Sequence, residues 1–425
     1  MKYVVIGNST AGASAVEAIR SVDTKGRITV VSDEPYHTYS RPLISYWLAG
    51  KVDDKRMFYK GESHLKDLEV TEIFGKKAVK IDAKKKAVLL EDGKRLPYDK
   101  LLIATGGAPI TPPIKSGALP GVFSFMNWDN ARKVREYLAK HKVRQVVVVG
   151  GGLIGLKVTE ALVELGLKVT VLELSDRVLS ATFDRKASDV MVSYLKIKGV
   201  DVITGNTVEE IVGEHERVAG VVLKDGKKIA CGMVVLAVGV RPNIGLTEGT
   251  GIKTGRGILV DSRMRTSVED VYAAGDVAEA HDTIINAPRT IAIWPLAVRQ
   301  GRVAGLNMAG KSAEYPGGFP MNSVEIHGLP TISLGLTDPK NDGYTILSEY
   351  KPKEFLYRKV VLEGGKLKGI IFVGKIDRAG LFTSIIDTGI DINKIKDRLL
   401  DDSFGLIALP ADYRKHAVKG PEMDV

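Results

Sequence analysis

Three glycines and an acid, Gly150, Gly152, Gly155 and Glu173, have the types and spacing needed to hold a dinucleotide. They lie in Gly150-Gly151-Gly152-Leu153-Ile154-Gly155, which follows four consecutive valines and precedes an apolar-periodic stretch and a second apolar run ending at Glu173. Gly150 lets the chain turn tightly, Gly152 lets backbone approach a pyrophosphate, and Gly155 lets helix and strand pack closely. The helix opened by Leu153 and Ile154 offers its N-terminus to the phosphate charge. Glu173 ends the second strand at the spacing expected of a ribose-binding acid, accepting from both hydroxyls and repelling a 2′-phosphate. The site is therefore expected to prefer NADH to NADPH.

A second nucleotide motif opens the chain. Gly7-Asn8-Ser9-Thr10-Ala11-Gly12 follows Tyr3-Val4-Val5-Ile6 and leads through a helix into Ile28-Thr29-Val30-Val31. Ser9 stands where a third glycine is usual, but serine is small and its hydroxyl can donate to phosphate. Asp33 is the first choice for the ribose acid by alternation along the strand, and Glu34 the second. Arg41 and Pro42 follow in Tyr39-Ser40-Arg41-Pro42, with Arg41 either facing a pyrophosphate or standing as a surface cation. Two strand ends of small residues, Ala104-Thr105-Gly106 and Ala273-Ala274-Gly275-Asp276, are expected to complete this first site.

Other chemistries find little support. Cys231 is the only cysteine, so the chain has no disulfide framework, no CxxC pair and no iron-sulfur centre of its own. Seven histidines are scattered without ligand spacing, and no metal site is expected. His37 alone lies near the first site in sequence. No Ser-His-Asp order or paired-carboxylate pattern calls for hydrolysis, which leaves the chemistry to the cofactor.

These residues must be positioned by strand-turn-helix-strand units, and a chain of 425 residues has room for more than one domain. A proline cluster at Pro109, Pro112 and Pro113 reads as a linker, residues 127–142 as an amphipathic helix, and Gly239 with Pro242 as the return crossing. A helix is expected from Trp294 to about Met308. Beyond residue 310, two alternating runs about Glu363-Gly364-Gly365 read as a hairpin, followed by helices near residues 377–387 and 393–400. The tail from Phe404 through Lys415 and His416 has the composition of ordered chain. Apolar residues make up 44% and charged residues 26%, as in ordinary globular proteins, and no apolar run reaches the ~20 residues of a membrane span. A buried strand begins at once, so a cytoplasmic location is the default expectation. The net charge of +10 fits an acidic partner, a lysine-rich surface or nucleic acid. Nucleic acid is the weakest of the three, because no basic block carries interleaved aromatics.

The four ordered motifs together resemble the FAD-dependent pyridine nucleotide-disulfide oxidoreductase superfamily, in which an NADH domain is inserted into an FAD domain. Residues 39–45 and the C-terminal region look like its NADH-dependent rubredoxin, ferredoxin and nitrite-reductase-type flavoprotein reductases. The resemblance implies an α/β fold with two Rossmann-like nucleotide-binding domains and a small α/β C-terminal domain. Residues 1–113 and 240–310 would bind FAD, residues 114–239 NAD, and residues 311–425 would serve dimerisation or partner docking. It also implies that Gly7, Ser9 and Gly12 hold the FAD pyrophosphate, Asp33 the adenosine ribose, Ala78 the adenine and Asp276 the ribityl chain. Leu296 and Ala297 would lie by the flavin ring. Two departures stand out: family members often have arginine at Met126 and glutamate at Lys157. Lys157 would either stabilise reduced flavin or fill a helix surface. With no thiol relay, the implied function is electron transfer between NADH and an iron-sulfur or rubredoxin-type carrier protein. The chain would act alone, as a homodimer, or as the flavin subunit of a redox complex; an NADH oxidase or peroxidase, or a low-turnover NADH-binding flavoprotein, is the alternative.

Overall fold

A computed structural model describes residues 1–61, 63–411 and 413–414, so Lys415 and His416 lie outside the described residues. The chain forms two compact units. The first comprises residues 1–112, 123–142 and 238–319, and the second residues 113–122, 143–237 and 320–425.

The first unit is built on five parallel strands, in the order Val271–Ala273, Lys100–Ile103, Lys2–Ile6, Arg27–Ser32 and Val70–Phe74. Because successive side chains point to opposite faces, Tyr3 and Val5 join one buried cluster while Val4 and Ile6 join the other. A strand buried on both sides reads as a continuous apolar run, as this one does. The helices Thr10–Val22 and Trp294–Met308 pack together on the first face. Their closeness depends on Gly301 and Gly305, where an added Cβ would lie 2.1 Å from the Ala11 carbonyl oxygen and 2.4 Å from that of Ala15. An antiparallel sheet of Ala78–Asp82, Ala87–Leu90 and Arg95–Pro97 adds Ile81, Val88 and Leu90 to the second cluster. Part of the expected linker is ordered: Gly107–Pro109 pairs antiparallel with Val240–Pro242, so the outgoing and returning chains cross as a two-stranded ribbon. The helix expected over residues 127–142 spans Trp128–Lys140, with Asn127 as N-cap in a capping box closed by Asn130.

In the second unit, parallel strands run in the order Asp201–Thr204, Lys168–Glu173, Gln145–Val149 and Met233–Leu236. A five-stranded antiparallel sheet follows in the C-terminal part, ordered Met321–Ile326, Leu329–Gly335, Lys366–Val373, Leu356–Glu363 and Thr345–Lys351. Its central hairpin turns on Gly364 and Gly365, both with positive φ (+54° and +78°), the backbone that a two-residue turn between twisted strands requires. The first expected C-terminal helix is Ala379–Thr388. The second is a 3-10 segment, Asn393–Arg398, which buries none of its residues and so lacks the apolar face that sustains a longer α-helix. Among the described residues no helix is long and apolar enough to cross a membrane.

Candidate functional site

In the first unit the strand ends open onto a cleft of about 390 Å³, lined by Gly7, Ser9, Ala11, Asp33, Glu34, Arg41, Ala78, Ala104, Thr105, Gly106, Gly275, Asp276 and Ala297. Residues far apart in sequence thus meet at the carboxyl ends of parallel strands, where ligands bind in open α/β sheets. The turn at its base depends on glycine. Gly7 has φ +117°, and a Cβ there would lie 2.1 Å from the Ala104 carbonyl oxygen; at Gly12 it would lie 2.0 Å from that of Gly7. Ser9 is the N-cap of Thr10–Val22, yet its hydroxyl makes no capping bond.

Three expected residues do not line this cleft. Gly12 is buried in the helix, Pro42 is exposed, and Leu296 is wholly buried. Gly239, also expected among the cofactor contacts, likewise does not line the cleft: it sits at the ribbon, with φ +123° and its carbonyl accepting from the Ile110 N–H at 3.0 Å. His37 stands outside the lining, with Nδ1 3.8 Å from Glu72. The cleft also includes Asn8, Lys77, Val79, Met126, Asn243 and Leu246, none of which the motifs mark as a contact. Asn8 lay within the first turn, and Asn243 directly follows the crossing at Pro242; its N–H donates to the Gly106 carbonyl at 2.9 Å. Met126 is one of the two departures from the family pattern.

Charge in the cleft is organised about Arg41. Its guanidinium donates to Glu34 at 2.7 Å and to the Met126 carbonyl at 3.5 Å, with Cζ 5.6 Å from the Tyr39 ring centroid. Burial pushes the Glu34 carboxyl above the usual range, opposed by Arg41 and by the Tyr39 hydroxyl. Loss of hydration also raises Asp276, with Arg41 acting against it. A carboxylate half-shielded from water gains most from a polar ligand that replaces its hydration.

The second turn, in the other unit, divides its glycine roles as the sequence suggests. Gly150 has φ +114°, a Cβ at Gly155 would lie 1.9 Å from the Gly150 carbonyl oxygen, and at Gly152 it would meet nothing within 4 Å. Gly152 is the N-cap of Leu153–Glu164, so Leu153 and Ile154 form its first turn. Glu173 is half-buried at the strand end and already accepts from Gly151 N–H at 2.6 Å and Ser175 N–H at 2.7 Å. Two acceptor positions of its carboxylate remain. Lys157 pairs with Glu160 on the same helix and donates to the Glu325 carbonyl at 3.1 Å, a tie to the C-terminal sheet of its own unit. Cys231 is buried, and burial pushes its thiol up to about 11, which suits a structural thiol rather than a nucleophile. Among the described residues no cluster of metal-ligating side chains occurs.

A family model described as pyridine nucleotide-disulphide oxidoreductase matches residues 1–301. The chain belongs to this family. A second model, described as the rubredoxin NAD+ reductase C-terminal domain, matches residues 320–390 of this oxidoreductase. The chain is 32% identical over 405 residues to the epsilon subunit of an NADH-dependent phenylglyoxylate dehydrogenase from Aromatoleum evansii, covering 94% of each chain. It is 31% identical over 344 residues to an NADH oxidase from Methanocaldococcus jannaschii, covering 79% of this chain and 76% of that one. Among solved structures, a ferredoxin reductase from Rhodopseudomonas palustris superposes with a TM-score of 0.86 at 26% identity, covering 95% of this chain and 98% of that one. The family uses FAD and NAD(H), and this flavoprotein's residues fit both. The two glycine cradles that a Cβ would close leave backbone N–H groups at helix N-termini for two pyrophosphates.

Proposed function

We propose that this flavoprotein carries electrons between NADH and a one-electron iron-sulfur or rubredoxin-type carrier protein, with the cleft of the first unit holding FAD and the Gly150 turn holding NADH. The observation that carries this reading is the match of residues 320–390 to the rubredoxin NAD+ reductase C-terminal domain. It is supported by Ser40 and Ser45, which stand in the stretch where the resemblance would place redox cysteines, and by a lone, buried Cys231. When bound, FAD links the two-electron chemistry of NADH to one-electron carriers.

The protein's own part is to bind, orient and exclude water. Gly7 and Ser9 would present backbone to one pyrophosphate, with Gly12 letting the helix pack against the turn, Asp33 taking the ribose and Asp276 the ribityl hydroxyls. Gly150 and Gly152 would do the same for the nicotinamide dinucleotide, with Gly155 letting the helix pack against the turn and Glu173 selecting NADH. Residues 1–113 and 240–310, together with residues 123–142 of the same unit, would serve FAD, the rest of residues 114–239 NAD, and residues 311–425 the protein partner. The similarity to a dehydrogenase epsilon subunit supports a place within a larger redox complex, and a cytoplasmic setting suits a protein fed by NADH.

A second reading, an NADH oxidase, is favoured by the Methanocaldococcus relative. Anaerobic and aerobic turnover separate the two. Reduction of a ferredoxin or rubredoxin well above the rate of oxygen uptake supports the carrier reading, and brisk oxygen uptake with no carrier reduced refutes it.

A further inference from the structure

We infer that Glu34 is a positioning residue, which holds the Arg41 guanidinium against the phosphate-binding turn and is not itself an acceptor for the adenosine ribose. This rests on the reading that the cleft holds FAD. Strand alternation leaves Asp33 and Glu34 as competing ribose acids, since both follow Ser32 at the end of Arg27–Ser32 and both border the cleft.

Their surroundings separate them. Glu34 Oε2 accepts from Arg41 at 2.7 Å, and both carboxylate oxygens lie within reach of the Tyr39 hydroxyl, Oε1 at 3.1 Å and Oε2 at 3.3 Å. That hydroxyl in turn accepts from the Trp128 backbone N–H at 3.2 Å, so Tyr39 is fixed from behind and can donate only forward to Glu34. Tyr39 is 5% exposed and its ring underlies the guanidinium. The Glu34 carboxylate is therefore turned onto its own loop, balancing the Arg41 charge and held by Tyr39, whereas Asp33 stands exposed at the cleft wall, outside that network.

Arg41 is correspondingly immobilised by a carboxylate, a carbonyl and a ring face, and a guanidinium has five N–H donors. Two of its nitrogens serve Glu34 and Met126, which leaves donors for a ligand in the cleft that Arg41 lines. The loop is also latched to the turn it faces. Asn8, within the glycine motif, donates from Nδ2 to the Tyr36 carbonyl at 3.1 Å and accepts from the Thr38 hydroxyl at 2.9 Å. The segment that bears Glu34, Tyr39 and Arg41 is thereby registered against the helix N-terminus where a pyrophosphate would sit. A guanidinium fixed before binding loses less freedom when the anion arrives.

The test is a double-mutant cycle on the flavin-bearing full chain, following FAD release by flavin fluorescence on dilution. Glu34→Gln should weaken FAD retention about fivefold and Arg41→Gln about tenfold. In Glu34→Gln/Arg41→Gln, loss should stay near that of Arg41→Gln alone, because Glu34 acts through Arg41. Asp33→Asn should instead multiply with Arg41→Gln, as an independent ribose contact would. If Glu34→Gln and Arg41→Gln multiply to about fiftyfold, Glu34 touches the ligand by itself and the assignment falls. Tyr39→Phe provides the same cycle should Glu34→Gln fold poorly, with a smaller effect that also vanishes beside Arg41→Gln if the assignment holds. Wild-type protein without flavin would overturn the FAD reading and this assignment together, whereas multiplying effects in a flavin-bearing protein overturn the assignment alone.

Discussion

Replacing Glu173 with alanine separates two jobs that the structure gives to one carboxylate. The side chain accepts from Gly151 and Ser175 N–H at 2.6 and 2.7 Å, so it braces the glycine turn before any ligand arrives. Its two remaining acceptor positions are the ones proposed for ribose hydroxyls. A hydrogen bond to a charged acceptor contributes about 1.5–3 kcal/mol when well shielded, and Glu173 is only half-buried. Two such bonds, discounted for solvent, amount to about 2 kcal/mol, or roughly 30-fold in NADH affinity. The exposed N–H groups add a stability loss of about 1 kcal/mol, since water can reach them. For NADPH the balance differs, because the substitution also removes repulsion of the 2′-phosphate. Glu173→Ala should therefore weaken NADH about 30-fold, leave NADPH unchanged or improved, and lower the unfolding free energy slightly. Titrating both nucleotides by protein fluorescence, with urea unfolding alongside, measures all three. An equal loss for NADH and NADPH would mean that Glu173 only braces the turn, and the ribose assignment would fail.

Gly155→Ala should reduce NADH affinity at least tenfold and destabilise the second unit, because its Cβ would be driven to 1.9 Å from the Gly150 carbonyl oxygen; unchanged binding would show that the turn can open without loss. Cys231 should react with iodoacetamide at pH 8 at least tenfold more slowly than a free thiol, since its thiol is pushed up to about 11 and buried. A raised thiol favours the folded state below the ordinary cysteine range, and that contribution is lost as pH climbs from about 9 towards 11. Cys231→Ala should therefore flatten the alkaline fall in stability. Lys157→Ala should loosen the C-terminal sheet by about 1 kcal/mol in urea unfolding, through the Glu160 and Glu325 contacts, and leave the flavin spectrum unchanged; a shifted flavin potential would instead favour a role at the cofactor.

What could be read from the sequence was governed by backbone. Gly7, Gly12, Gly150 and Gly155 stand where a single Cβ would collide with a carbonyl oxygen, so their spacing constrains the turn before any tertiary contact is known. The same local logic gave the Gly364-Gly365 hairpin. Partnerships across distant chain were less visible. Alternation placed Asp33 and Glu34 side by side but could not show that Glu34 faces Arg41 and Tyr39. Met126 and Asn243 reach the cleft only because the chain leaves and returns through the Gly107–Pro109 and Val240–Pro242 ribbon. Lys157 looked like a charge near a cofactor because spacing along a helix says nothing of Glu325, 168 residues away.

The most direct test of electron transfer to a carrier protein is stopped-flow measurement of the two half-reactions against ionic strength. Flavin bleaching by NADH is followed in one, and reduction of an acidic ferredoxin or rubredoxin in the other. With a net charge of +10, encounter with an acidic carrier should slow as salt rises to ~0.15 M, where the Debye length falls to ~8 Å. The NADH half-reaction should stay nearly constant. A protein that reduces oxygen briskly, reduces no iron-sulfur carrier offered to it and shows no salt dependence would contradict the account.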